Sequence, residues 1–224
     1  SVPVWLPPGY GDSDARYPVV FVANETAREV GDWPKTLDRV VGRTVAPLIA
    51  VFLEIPPMAP QVAGQIFVGQ IVPAIDERYR TIPDREHRAN VGMGWPGFGA
   101  AMDTFSNSSV FGALGVQSSF SLEETMDMLT GAIGDSDAST LPVKIYLEWG
   151  RWDLISPHEE MNMRDSSKWA WDLFRNRGWE PVGGEVWDST DWGSWRNRTG
   201  VMLEALFPME GAESDLPVWQ TSAR

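Results

Sequence analysis

Seven short apolar runs of strand length recur along the chain, most of them separated by stretches of helical period, and this alternation limits the fold more than any other feature. The runs lie at residues 2–5, 17–23, 48–54, 87–92, 111–116, 143–149 and 183–187. The helical stretches lie near 34–42, 64–79, 97–105, 122–132, 159–177 and 195–206. A repeated β-then-α order favours a parallel sheet covered on both faces, because parallel neighbours are joined by crossover helices. The fold predicted is therefore α/β, a doubly wound, mostly parallel sheet. The helix over 159–177 has marked ends: Ser156-Pro157 before it, Glu159 and Glu160 in its first turn, Gly178 after its last. A length of 224 residues suits one domain, expected over 1–208, with the polar, aperiodic stretch 209–224 as an irregular tail.

Composition then narrows the chemistry. The chain has no Cys and only two His, His87 and His158. A Cys nucleophile, a disulfide framework and a thiolate zinc site are excluded, and any Ser-His-Asp arrangement must recruit one of those two histidines. No metal site or cofactor is expected. A formal charge of −13 and a pI near 4.5 repel phosphate backbones and anionic lipid surfaces, so neither nucleic acid nor membrane is an expected partner. No run of about 18 uninterrupted apolar residues occurs, and Ser1 leads directly into VPVWLPPGY without a basic segment. The sequence thus reads as a soluble, mature or excised form with neither span nor signal peptide, and it leaves the compartment open.

Residues 89–101, ANVGMGWPGFGAA, place small residues at a strand-to-helix junction. An α/β-hydrolase carries its nucleophile elbow, G-x-S-x-G, at such a junction. Here the residues are Gly92-Met93-Gly94-Trp95-Pro96-Gly97. Taken alone, the segment reads first as a tight βα connection.

Other segments add a resemblance. VWLPPGY at 4–10, RYPVVFV at 16–22, IVPAIDERYRTIPDREHRANVGMG at 71–94, VFGALGVQSS at 110–119, IYLEWGRWDLISPHEE at 145–160 and DWGSWRNR at 191–198 resemble the esterase branch of the α/β-hydrolase fold that includes enterochelin esterase and esterase-D-like proteins. The resemblance covers most of the chain. It implies an α/β-hydrolase fold in which the opening strand of the usual hairpin is missing.

The resemblance also implies where a catalytic triad would lie. The family's G-x-S-M-G-G aligns its nucleophilic serine with Gly94, and its G-H-D-W-x-x-W aligns the histidine with Thr190, through Asp191-Trp192 and Trp195. The acid of its G-x-x-D turn corresponds to Asp153, in Gly150-Arg151-Trp152-Asp153. A serine is a poor nucleophile until a base takes its proton. Glycine supplies no atom, and a threonine hydroxyl is no base near neutral pH. The expectation is a degenerate triad, and hence a non-hydrolytic relative that binds a small acyl or sugar-type ligand or a protein partner. The alternative is a carboxylic ester hydrolase with a non-standard nucleophile or one whose serine was replaced by Gly94.

Around that site, Trp95 keeps the backbone N–H of an oxyanion hole, since the proline follows one position later. The resemblance places the second oxyanion loop at Ala23-Asn24-Glu25, where Glu25 would bring an acidic group close. Trp152 and Trp192 are further binding candidates: with Trp95, Trp149, Trp187 and Trp195 they fall on segments expected to converge at the carboxyl ends of the strands. A core role for this group is the competing reading. His158 reads as a helix-start residue, His87 as partly exposed, and Ser118 and Ser119 as loop-capping residues. With the opening strand missing, the N-terminal sheet edge is expected to be covered by an upstream domain or a second copy of the chain.

Overall fold

A computed structural model describes residues 2–24, 26–54, 64–121 and 123–212, the side chains of residues 123 and 124 excepted. All seven apolar runs form strands of one sheet: β1 (Val4–Trp5), β2 (Val19–Val22), β3 (Ile49–Phe52), β4 (Arg88–Met93), β5 (Ala113–Gln117), β6 (Lys144–Gly150) and β9 (Val182–Val186). Two further strands, β7 (Ile155–Ser156) and β8 (Met161–Asn162), make a separate antiparallel ribbon. The sheet order is β1-β3-β2-β4-β5-β6-β9, parallel except where the edge strand β1 meets β3. Helices α1 (Thr26–Glu29), α2 (Trp33–Val40), α3 (Val72–Arg78), α4 (Trp95–Ser106), α5 (Glu123–Ile133), α6 (Met163–Asn176) and α7 (Trp192–Leu206) connect or follow these strands. A π-helical turn over Phe67–Ile71 leads into α3.

Alternation along the strands divides the core in two. Val20, Val22, Ala50 and Phe52 pack on one face with Trp33 and Leu37 of α2 and with Met202, Leu203 and Leu206 of α7. Val19, Phe21, Ile49 and Val51 pack on the other with Phe67, Val72 and Ile75. Leu114, Val116, Ile145 and Leu147 join Phe98, Leu129, Ala170 and Phe174 from α4, α5 and α6. Because both faces are covered, the central strands read as unbroken apolar runs. Each large side chain withdrawn fully from water contributes about 1.5–3 kcal/mol, so the strand ends that carry the candidate site project from the best-buried part of the molecule.

One expected element differs. The helix predicted over 159–177 begins at Met163, and Glu159 and Glu160 are not in its first turn. Pro157 instead starts a 3-10 turn over Pro157–Glu159, and Glu160 at φ 53° reverses the chain into β8. Asn162 is the helix cap, its side chain accepting from the N–H of Asp165 at 3.0 Å. Pro157 thus marks a turn that precedes the helix, and the side-chain cap fixes where the helix starts. The other end falls as expected, with Gly178 at φ 83° just beyond Asn176.

Of the stretch expected as a tail, residues 213–224 lie outside the described residues. Its beginning is tied down: the N–H of Met209 donates to the carbonyl of Thr44 at 2.9 Å. No helix among the described residues is long and apolar enough to cross a membrane.

Candidate functional site

Between Met93, the last residue of β4, and Trp95, the first of α4, stands Gly94 alone. Its φ of 61° and ψ of −145° suit glycine better than any residue with a side chain. Its N–H donates to the carbonyl of Gln117 at 2.9 Å, and the N–H of Gly97 returns to the Gly94 carbonyl at 3.0 Å. Reversing the chain this sharply needs backbones in close approach. A Cβ on Gly92 would lie 2.6 Å from Gly97 Cα, and one on Gly97 would overlap Ser119 Oγ. The small residues around 94 are therefore a steric requirement of the turn.

As the first residue of α4, Trp95 has an N–H without an intrahelical acceptor, at the positive end of the helix dipole. The sheet order reverses between β2 and β4, so this elbow lies at the switch point where open α/β sheets take ligands. The facing loop is anchored by Ala23 N–H to the Val91 carbonyl, 2.8 Å, and by Asn24 Oδ1, which accepts from the N–H of Thr26 at 2.9 Å. Glu25, expected beside the oxyanion position, lies outside the described residues.

The second half of the site hangs from β6 and β9. Past Gly150 the chain turns tightly, Asp153 N–H reaching the Gly150 carbonyl at 3.1 Å, and the Asp153 side chain is buried, 3% exposed. Thr190, in the connection from β9 to α7, donates from Oγ1 to Asp153 Oδ1 at 2.8 Å and accepts from the N–H of Leu154 at 3.2 Å. Two positions 37 residues apart in sequence are thus hydrogen-bonded. Burial pushes the Asp153 carboxyl above its usual pKa, against the opposing pull of the Ser118 and Thr190 hydroxyls, a backbone bond at Gly150 and the charge of Arg198.

Trp195 links the two halves. A Cβ on Gly94 would stand 3.2 Å from Trp195 Cη2, so the indole already fills the space into which a side chain at 94 would grow. The ring is held by its Nε1–H, which donates to Ser118 Oγ at 3.2 Å, and by edge-to-face packing with Trp192 at 5.2 Å. Ser118 adopts a positive φ of 50°, a conformation that few residues other than glycine take without strain.

Beneath the site runs a buried polar network that the sequence reading did not identify. Glu148, 1% exposed, accepts from Gln117 Nε2 at 2.8 Å, from Arg198 Nε at 2.9 Å and from the Tyr146 hydroxyl. Arg198 also reaches Asp188 Oδ2 at 2.6 Å, and Gln117 Nε2 lies 3.2 Å from the Trp195 carbonyl. Burial, then the Glu148 carboxylate, hold the Tyr146 phenol well above its usual pKa, so it remains a donor. The signal for this network was available: a lone acid inside the apolar run 145–149 demands a buried partner.

The tryptophans separate into two groups. Trp149 and Trp195 are buried, 6% and 7% exposed, and Trp192 is half-buried, packed onto the core and against the Gly31 turn. Trp95, Trp152 and Trp187 are exposed, at 57%, 59% and 73%. His87 lies at the other end of β4 from the elbow. His87 caps the amino end of β4, its Nδ1 2.5 Å from Asp84 Oδ1, roughly 20 Å of strand away from Gly94. His158 is exposed in the 3-10 turn, before the helix it was expected to start. Ser118 and Ser119 are both buried, with Ser119 Oγ donating to the Gln117 carbonyl at 3.1 Å.

No protein-family model matches the chain. Solved structures match it over nearly its whole length. A ferulic acid esterase is 22% identical, with a TM-score of 0.74, over 91% of this chain and 90% of its own. S-formylglutathione hydrolase from Staphylococcus aureus is 10% identical, with a TM-score of 0.64, over 92% and 91%. The enterobactin esterase of Shigella flexneri is 13% identical, with a TM-score of 0.68, over 92% of this chain and 54% of its own. The chain has the α/β-hydrolase fold, as the sequence predicts, and its structural neighbours are esterases.

Proposed function

We propose that the chain is a non-hydrolytic relative of these esterases, a protein that uses the carboxyl ends of its strands to bind a ligand rather than to cleave one. The observation that carries this reading is the bond from Thr190 Oγ1 to Asp153 Oδ1, 2.8 Å, in a site whose elbow residue is Gly94. In the hydrolases of this fold a histidine between acid and serine takes the nucleophile's proton. A threonine hydroxyl is far too weak a base to take that proton near neutral pH, and the elbow offers no oxygen to give it up. Asp153 is left holding a turn together. The placement of Trp195 supports the same reading, since its indole stands where a side chain at 94 would grow.

A second reading, a carboxylic ester hydrolase with a non-standard nucleophile, draws on the elbow itself. Its conformation, its switch-point position and the Trp95 N–H are what an oxyanion pocket requires. Hydrolysis of p-nitrophenyl acetate and butyrate by the purified chain separates the two. Turnover equal to that of a heat-treated sample is expected; turnover well above it that persists through purification establishes the ester hydrolase.

A further inference from the structure

The least buried of the large apolar side chains in the described chain is Trp187, and it stands next to another exposed indole. Trp152 and Trp187 meet edge-to-face with ring centroids 5.5 Å apart, although one follows β6 and the other follows β9. They are not loosely placed. The N–H of Arg151 donates to the Val186 carbonyl at 2.8 Å, and the N–H of Trp152 to the Asp188 carbonyl at 3.1 Å, so the two loops continue the pairing of the strands below them. The Arg151 guanidinium lies over the Trp187 ring, 4.3 Å from its centroid, and faces Glu185, 3.8 Å away. Glu185 also takes a bond from Arg164 Nε at 3.0 Å.

We propose that Trp152 and Trp187, braced by Arg151, form a stacking subsite for a neutral carbohydrate ring. An indole face is electron-rich and meets the slightly positive C–H face of a pyranose as it meets the edge of another ring. Beside the rings, Glu185 faces two cations, Arg151 and Arg164, and these side chains offer both donors and acceptors for ring hydroxyls. The chain's charge of −13 disfavours an anionic ligand at the same place. The size also fits. Two indoles with these exposures present roughly 300 Å², far less than the ~800 Å² that each partner buries in a stable protein interface, and enough for one or two sugar rings. The proposal rests on reading the carboxyl ends of the strands as a binding site, and both rings stand at that end, Trp152 just after β6 and Trp187 just after β9.

The test is calorimetric titration of the whole chain with cellohexaose, xylohexaose and mannohexaose. At least one is expected to bind in the millimolar range or tighter, and Trp152→Ala and Trp187→Ala are each expected to weaken it about tenfold. Trp187→Phe, which keeps a ring, restores most of the affinity, and Arg151→Gln loses part of it. Unchanged near-ultraviolet circular dichroism from the buried tryptophans checks that each variant is folded. Absence of binding by all three sugars, or binding indifferent to both alanine substitutions, overturns the proposal. So does a neutral aromatic ester that binds through Trp152 and Trp187 where the sugars do not. Ester turnover by the unsubstituted chain overturns the non-hydrolytic reading instead and leaves the sugar titration to stand or fall separately.

Discussion

Thr190 and Asp153 are joined through a single hydroxyl, which donates to Asp153 Oδ1 at 2.8 Å while accepting from the neighbouring Leu154 N–H at 3.2 Å. The hydroxyl therefore closes the turn after β6 and also stabilises the ionised form of a buried carboxyl. Thr190→Val keeps the shape and removes both bonds. A loss of about 1–2 kcal/mol is expected by urea denaturation near neutral pH. With its donor gone, Asp153 holds its proton to still higher pH, so the loss shrinks as pH falls and the carboxyl becomes neutral in both folded and unfolded chains. A loss that does not change with pH means that the packing of Thr190, and not the charge of Asp153, sets its value.

If the fold keeps the frame of a triad, the two side chains it lacks are a serine at 94 and a histidine at 190. Gly94→Ser alone is expected to give no turnover of p-nitrophenyl butyrate and to destabilise by about 1–2 kcal/mol, from the positive φ and from the 3.2 Å approach of its Cβ to Trp195. Gly94→Ser combined with Thr190→His is expected to hydrolyse measurably. Equal activity in the single and double variants places the base somewhere other than 190.

Two glycines three and five positions past the elbow's own make a direct steric comparison. A Cβ on Gly97 would overlap Ser119 Oγ and stand 2.7 Å from the Gly92 carbonyl, whereas one on Gly99, in the same helix, meets nothing within 4 Å. Gly97→Ala is expected to destabilise by about 3 kcal/mol or more, and Gly99→Ala to stabilise by about 0.5–1 kcal/mol through helix propensity. Thermal unfolding of the pair measures both. Equal shifts in the same direction would mean that the close approach of β4 and α4 at the elbow is relaxed in solution.

The sheet was legible because burial on both faces leaves unbroken apolar runs, and all seven became strands. The bond between Thr190 and Asp153 joins the turns after β6 and β9, 37 residues apart, and no local spacing sets it. Helix starts were less legible: Pro157 marks a 3-10 turn as readily as a helix, and the cap, Asn162, lies five residues on. Nor did the sequence separate the buried Trp149 and Trp195 from the exposed Trp152 and Trp187, because all four sit near strand ends and only side-chain direction distinguishes them. The polar network around Glu148 was missed for a different reason: its members, Gln117, Tyr146, Asp188 and Arg198, come from four segments that only the folded sheet brings together.

That network makes its own prediction. Arg198 is the cation that Glu148 and Asp188 share, and Glu148 is 1% exposed. Arg198→Met leaves a carboxylate in the core without its counter-charge, and a loss of roughly 3–5 kcal/mol is expected. Adding Glu148→Gln should return part of that loss, since the amide still accepts from the Tyr146 hydroxyl and has no charge to compensate. A double variant less stable than the sum of the two single changes would show that Arg198 acts through packing on α7 and not through Glu148.

Asp103, on α4, is a second carboxyl, after Asp153, whose ionisation works against the fold. Burial alone lifts its pKa from 3.8 to about 6, and its carboxyl is pressed toward the chain at Gly64, where a Cβ would lie 2.6 Å from Oδ1. With the folded pKa above the unfolded one, the folded chain holds this proton more tightly. The resulting contribution is fully present below about pH 4 and is lost as pH rises through about 6. Near neutrality the carboxylate is ionised in both states, and its desolvation weighs on the folded one. Asp103→Asn is therefore expected to stabilise by about 1–2 kcal/mol near pH 7, part of the full two-unit shift because the group is partly exposed. The advantage should narrow steadily toward about pH 4. Parallel urea titrations of parent and variant across that range measure it, and an advantage that stays constant with pH removes ionisation of Asp103 as its cause.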